Sequence, residues 1–178
     1  MKVNIQPIIK STIAALVPLK DDDFNALYQA ASDPLIWEQH PNRERYRKEI
    51  FSNYFEGAMQ SQGAFKVLDA NGVLAGSTRY YDYNPDDSSI FIGYTFFKRS
   101  YWGTGLNAEI KKMMLDYIFQ YVSKVYFHIG AENFRSQSAI EKIGAEKIKE
   151  MNVGYHGESV NLNYLFIIRK ERWENAQQ

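Results

Sequence analysis

Two glycines one residue apart stand in the stretch Tyr101-Trp102-Gly103-Thr104-Gly105-Leu106-Asn107-Ala108-Glu109, directly before a long helical pattern. Glycine lets the backbone turn tightly and leaves its amides unshielded by side chains. The first N–H groups of a helix lack intrahelical partners, and the helix dipole favours negative charge there. The chemistry this permits is the seating of a phosphate. About thirty residues on lies Asn133-Phe134-Arg135-Ser136-Gln137-Ser138-Ala139-Ile140-Glu141-Lys142-Ile143-Gly144-Ala145, entered from Val125-Tyr126-Phe127-His128-Ile129. Asn133 falls where a strand meets a helix. It is an N-cap or a ligand contact, and Ser136 in the next turn is a helix-start residue or a proton donor.

The elements that must position these residues follow from periodicity. Thr12–Leu19 reads as a strand, and Asp21–Asp23 supply carboxylates at the start of a helix carrying Phe24, Leu27, Tyr28 and Ala31. Asp33-Pro34 breaks it. A second helix is expected from about Arg43, with Tyr46, Ile50, Tyr54 and Phe55 at helical spacing. Strands at Ala64–Leu68 and Val73–Tyr81 flank Asp69-Ala70-Asn71-Gly72, and another follows at Ser89–Phe97. Over 106–122 one helical face carries Leu106, Ile110, Met113, Met114, Tyr117, Ile118 and Tyr121. Asn107, Lys111, Lys112, Asp116 and Gln120 are placed opposite it. Lys124–Ile129 is a strand, Arg135–Ile143 a short helix, and Glu146–Val153 and Val160–Arg169 are closing strands. This is a mixed α/β fold, read as one domain over 1–178, in which the crossover helix makes Ser89–Phe97 and Lys124–Ile129 parallel neighbours.

Composition narrows the function classes. Lysine and arginine number 21 against 21 acidic residues, so no global field recruits nucleic acid or an anionic membrane. Cysteine is absent, which removes disulfides, a thiolate nucleophile and a cysteine zinc site. The three histidines show no ligand spacing, and no metal is expected. Met1–Pro7 lacks a long apolar run, and no segment approaches the ~20 apolar residues of a membrane span. The expectation is a cytoplasmic protein.

The glycine turn alone leaves alternatives. Gly103-Thr104-Gly105-Leu106-Asn107-Ala108 also fits the dinucleotide pattern G-x-G-x-x-G/A, although an antiparallel meander precedes it rather than a run of βαβ units. A Walker A loop fails, because no Lys-Ser/Thr follows the glycines. Taken with Asn133-x-x-Ser136 downstream, the pair resembles the GNAT superfamily of acyl-CoA-dependent N-acyltransferases, and within it the branch of ribosomal-protein N-terminal alanine acetyltransferase-like proteins. The resemblance is strongest from about Ile92 to Ala145.

The resemblance implies the GNAT fold: a mixed, mostly antiparallel central sheet, helices on both faces, and a splayed parallel strand pair with the acyl-pantetheine arm in its cleft. It implies acetyl-CoA as co-substrate, seated by Trp102, Gly103, Thr104, Gly105, Leu106, Asn107, Asn133, Arg135 and Ser136, with the strand Tyr94, Thr95, Phe96 and Phe97 alongside. An exposed N–H in that strand would hold the oxyanion, Asn133 the cofactor arm, and Ser136 would stand near the sulfur. The acceptor is expected to be a primary amine, a peptide N-terminus or a small molecule, met by Trp37, His40, Arg79 and Tyr80, in a monomer or homodimer. Three positions depart from the family pattern. Phe91 stands where many members have a glutamate acting as or near a general base, and Ile140 where many have a tyrosine that protonates the leaving thiolate. Thr104 lies between the glycines, with Arg99 upstream. A missing base favours an amine of low pKa: ~7.7–8.0 for an α-amine against ~10.4 for lysine. A degenerate acyl-CoA-binding module and a nucleotide-binding protein are the alternative readings.

Overall fold

The computed structural model describes residues 3–176. Its centre is one eight-stranded sheet in the order β1-β2-β3-β4-β5-β6-β8-β7. The strands are β1 (Ile9–Lys10), β2 (Ala14–Pro18), β3 (Ala64–Asp69), β4 (Leu74–Asn84), β5 (Ser89–Phe97), β6 (Lys124–Gly130), β7 (Glu146–Gly154) and β8 (Val160–Arg169). Every neighbouring pair is antiparallel except β5 and β6. The helices are α1 (Phe24–Ala31), α2 (Lys48–Ser61), α3 (Leu106–Ile118), α4 (Phe134–Lys142) and α5 (Lys170–Asn175).

Alternating side chains along the strands divide the interior into two cores, one on each face of the sheet. On one face Ile110, Met114 and Ile118 of α3 pack with Ile90, Ile92, Val125, Phe127 and Phe166. On the other, Leu27 and Ala31 of α1 and Phe51, Tyr54 and Ala58 of α2 pack with Trp37 and Phe96. The mixed sheet with helices on both faces is the architecture expected from the resemblance.

Two local expectations are corrected. The helix expected from Arg43 begins at Lys48, and 37–47 is a series of turns. Arg45, which would have ridden its first turn, is instead drawn into the interior and paired there. In α3 Lys111 is buried at 4% exposure while Tyr121, beyond the helix end, is 37% exposed. The polar face thus faces water for Lys112 and Asp116, which pair with each other, but not for Lys111. Finally, β1 and α5 lie in segments that carry too few periodic residues to signal an element.

Candidate active site

The site begins where two strands part. β5 and β6 are in register only at Ser89↔Lys124, Ile90↔Val125 and Phe91↔Tyr126, although β5 continues to Phe97 and β6 to Gly130. On its opposite edge β6 pairs with β8 along its whole length, from Lys124↔Arg169 to Gly130↔Asn163. On the other side of β5 the ladder to β4 passes from Arg79↔Gly93 to Ser77↔Phe96, leaving Tyr94 and Thr95 as a bulge. Tyr94 takes the left-handed conformation, with φ of 53°. A bulge of this kind bends the strand and re-aims its backbone, and it costs energy that the surroundings must repay. Here the Tyr54 hydroxyl donates to the Tyr94 carbonyl at 2.7 Å, and the Arg79 guanidinium stacks 3.8 Å from the Tyr94 ring centre.

The parted strands open a cleft of about 490 Å³ that runs from the glycine turn to Tyr155. At one end Gly103 and Gly105 have φ of 73° and 86°, which favour glycine, and a Cβ on either would meet no atom within 4 Å. Their amides and that of Asn107 have no hydrogen-bond partner among the described residues. The amide of Leu106 faces the Thr104 oxygen at 3.4 Å, while the Thr104 hydroxyl donates to the Tyr101 carbonyl. Asn107 Oδ1 is buried without a partner. A phosphate group fits this end: open space, free N–H donors and a helix N-terminus. The lining contains Arg45, Lys111, Arg135 and Lys142 and not one aspartate or glutamate.

Of the expected cofactor residues, Trp102, Gly103, Gly105, Asn107, Asn133, Arg135 and Ser136 all border the cleft with Tyr94–Phe97. Thr104 and Leu106 do not; the latter is buried in the α3 core. Phe96 and Phe97 send their rings into opposite cores, so the cleft receives chiefly their backbone. Asn133 does cap α4: its Oδ1 accepts from the Ser136 amide at 3.2 Å, leaving the amide nitrogen without a protein partner. Arg135 spans the cleft, its guanidinium 3.9 Å from the Trp102 ring centre and its amide donating to Gln39 Oε1 at 3.1 Å.

The acceptor candidates fare unevenly. Trp37 and His40 line the far end of the cleft. Asn42 N–H donates to His40 Nδ1 at 2.9 Å, which leaves the ring hydrogen on Nε2, 3.2 Å from Arg45 Nη1, so the one accepting nitrogen is already engaged. Burial, and then the Arg45 charge, holds this imidazole well below its ordinary value. Arg79 is buried at 3% exposure, lies outside the lining, and donates to the Tyr54 carbonyl at 3.0 Å. Tyr80 is removed from the acceptor side: alternation turns it to the α3 face, where its hydroxyl donates to the Met114 carbonyl.

Arg45, Glu158 and Pro41, which the sequence did not single out, complete this end. The Arg45 guanidinium donates to both carboxylate oxygens of Glu158, at 2.6 and 2.7 Å, with both side chains almost fully buried. Trp37, Tyr54, Tyr94 and Tyr155 surround it at 5.2–5.6 Å. Pro41 packs so closely on Gly130 that a Cβ there would meet its ring at 2.3 Å. Nothing in the local sequence marks an arginine for burial when its partner lies 113 residues away. His128 faces the cleft at the fork and stacks on Phe91 at 4.6 Å. Its Nδ1 lies 3.4 Å from the Tyr81 hydroxyl, and its Nε2 is buried without a partner.

Residues 15–146 match the family model described as an acetyltransferase (GNAT) domain. The fold is similar to that of a GCN5-related N-acetyltransferase from Brucella melitensis, with TM-score 0.81, 18% identity, and coverage of 95% of this chain and 81% of the other. It is also similar to a GNAT-family acetyltransferase from Bacillus anthracis, with TM-score 0.74, 21% identity and coverage of 93% and 99%. A third similar structure is a spermidine N-acetyltransferase from Vibrio cholerae in complex with CoA and spermine, at TM-score 0.69, 18% identity and coverage of 91% and 98%.

Two stability measurements check this geometry. Glu158→Gln leaves the buried Arg45 guanidinium uncompensated and is expected to cost about 3–5 kcal/mol in urea unfolding. A loss below about 1 kcal/mol would show that the pair is solvated. For His128, burial and then the Lys149 charge hold the imidazole down to about 4. The unfolded chain therefore takes up this proton first, near the ordinary ~6.5. Its contribution to stability is complete above that value and disappears as pH falls towards 4. His128→Asn is expected to flatten the decline in unfolding free energy over that window, and an unaltered slope would place His128 in water.

Proposed function

The chain belongs to the GNAT acetyltransferase family and is an acyl-CoA-dependent N-acetyltransferase, and from that premise we propose how its cleft divides between the two substrates. The CoA pyrophosphate is assigned to the amides of Gly103 to Asn107, with Trp102 and Arg135 bordering the turn. The pantetheine arm is assigned to the gap between β5 and β6, where Asn133 offers its free amide nitrogen and Ser136 stands beside the sulfur. Bound acetyl-CoA supplies an activated acyl carbonyl. An N–H within the bulged segment Tyr94–Phe97 holds the oxygen of that carbonyl as negative charge develops, a preorganised donor of the kind worth several kcal/mol.

The observation that carries the acceptor assignment is the missing carboxylate. No aspartate or glutamate lines the cleft, and Phe91 stands beside His128 at the fork. A polycation such as spermidine would find no carboxylate in the lining to pair with, and the acid behind it, Glu158, is already engaged by Arg45. His128 Nε2 can accept a hydrogen bond from an attacking amine, but an imidazole held near 4 cannot take a proton from an ammonium at neutral pH. The amine must therefore arrive neutral. An α-amine, with pKa ~7.7–8.0, meets that condition far more often than a lysine at ~10.4. The acceptor proposed is a peptide N-terminus or a small amine of comparable pKa, passing between Trp37 and Tyr155.

Two experiments test this reading. Gly105→Val places a branched side chain at a left-handed position facing the proposed pyrophosphate, and is expected to reduce acetyl-CoA affinity at least tenfold by calorimetry while the far-ultraviolet spectrum is kept. Unchanged affinity would move the pyrophosphate elsewhere. Separately, acetylation of peptides offering either a free N-terminus or only lysine, with sites mapped by mass spectrometry, is expected to favour the N-terminus. Transfer to lysine or spermidine alone would reverse the acceptor assignment.

A further inference from the structure

Lys111 is the one buried lysine among the described residues, at 4% exposure, and no carboxylate pairs with it. Its Nζ lies 2.6 Å from the hydroxyl of Thr95, on the bulge, and 3.5 Å from that of Thr78; the two threonines are themselves 2.8 Å apart. Two neutral hydroxyls do not offset the cost of a buried ammonium. A residue this expensive sits in the wall of the cleft, one helical turn beyond Asn107 and on the same side of the sheet as Ile140. The groups that face the cleft around it are Arg135, Ser136 and Lys142 from α4, His128 from β6 and Asn107 from its own helix. None is an acid that could fix its charge.

We propose that Lys111 is the proton donor to the departing CoA thiolate. This rests on the assignment of the pantetheine arm to the β5–β6 gap. The amine lone pair forms the new C–N bond, the C–S bond breaks, and the sulfur takes one proton from the Lys111 ammonium. The neutral lysine is then recharged by the proton that the acetylated amine must shed, so atoms and charge balance with no further reactant. Burial brings the Lys111 ammonium down to about 7, beneath a thiol's ordinary ~8.5. The transfer from nitrogen to sulfur is therefore downhill, and the donor is half charged near neutrality, where a general acid works best. The Ser136 hydroxyl can orient the sulfur by a hydrogen bond but holds its own proton too tightly to neutralise it.

The test needs no acceptor. CoA is bound to the wild-type protein, and its thiol is titrated by the ultraviolet absorbance of the thiolate. The ammonium beside it is expected to place the bound thiol about one pH unit below free CoA, still above the lysine. Lys111→Met, of similar volume and without charge, should bind CoA, melt at higher temperature, and return the thiol to the free value or above it. Once an acceptor is in hand, its turnover should fall about 10²-fold or more. A bound thiol in the wild type that titrates like free CoA would overturn the proposal. So would identical titrations in wild type and Lys111→Met. Failure of the wild type to bind CoA at all would instead overturn the assignment of the cleft, and this inference with it.

Discussion

The parting of β5 and β6 after Phe91 and Tyr126 governs the rest of the molecule. A parallel pair that continued to zip would fill the gap with ladder hydrogen bonds and leave no room for a ligand. Instead the β5-facing edge of β6 is left open beyond the fork while β8 holds its opposite edge, and the free end of β5 is held from both faces of the sheet. From the α2 face the Tyr54 hydroxyl takes the Tyr94 carbonyl, and from the α3 face Lys111 reaches Thr95. Trp102 then closes the end, its Nε1–H donating to the Phe97 carbonyl at 3.2 Å. The two cores are thus not only ballast on either side of a sheet. Each contributes one restraint to the same bulge, which keeps exposed backbone in a fixed place rather than letting it fray.

Charge in the interior follows from the same opening. Three cations, Arg45, Arg79 and Lys111, lie within or directly behind the cleft wall, and Glu158 is the acid that answers one of them. Arg79 is accommodated by ring faces and a carbonyl instead, with its Nε left without a partner. Cationic walls suit a substrate whose phosphates bring negative charge.

Most of the fold was legible in the sequence because alternation and helical spacing are strong where a strand or helix has one dry face. Ser89–Phe97 and Val160–Arg169 fall where their patterns place them. The glycine turn and the Asn133 junction were legible because backbone conformation demands particular residues there. Lys111 was not, since periodicity assigns a lysine to the wet face regardless of what lies under it. Tyr80 was misread for the opposite reason: proximity in sequence to Arg79 says nothing of which side of a strand each residue takes. Arg45 and Glu158 were invisible because their pairing depends on a tertiary contact with no local trace. The ligand-facing half of the site is thus written in short-range rules, and the acceptor-facing half in long-range ones.

That asymmetry has a kinetic consequence in the Arg45–Glu158 tie. Closing a contact across 113 residues carries a large loop entropy, and its carboxylate comes from the β7–β8 hairpin, which follows α3, β6 and α4 in the sequence. A ribosome delivers the glycine turn, α3 and β6 well before that hairpin. A nascent chain can therefore shape the phosphate-holding end while Arg45 is still unpartnered and the acceptor wall unbuilt. Maturation of the enzyme would then run from the end common to all its reactions towards the end that chooses among them, with selectivity the last property to be acquired.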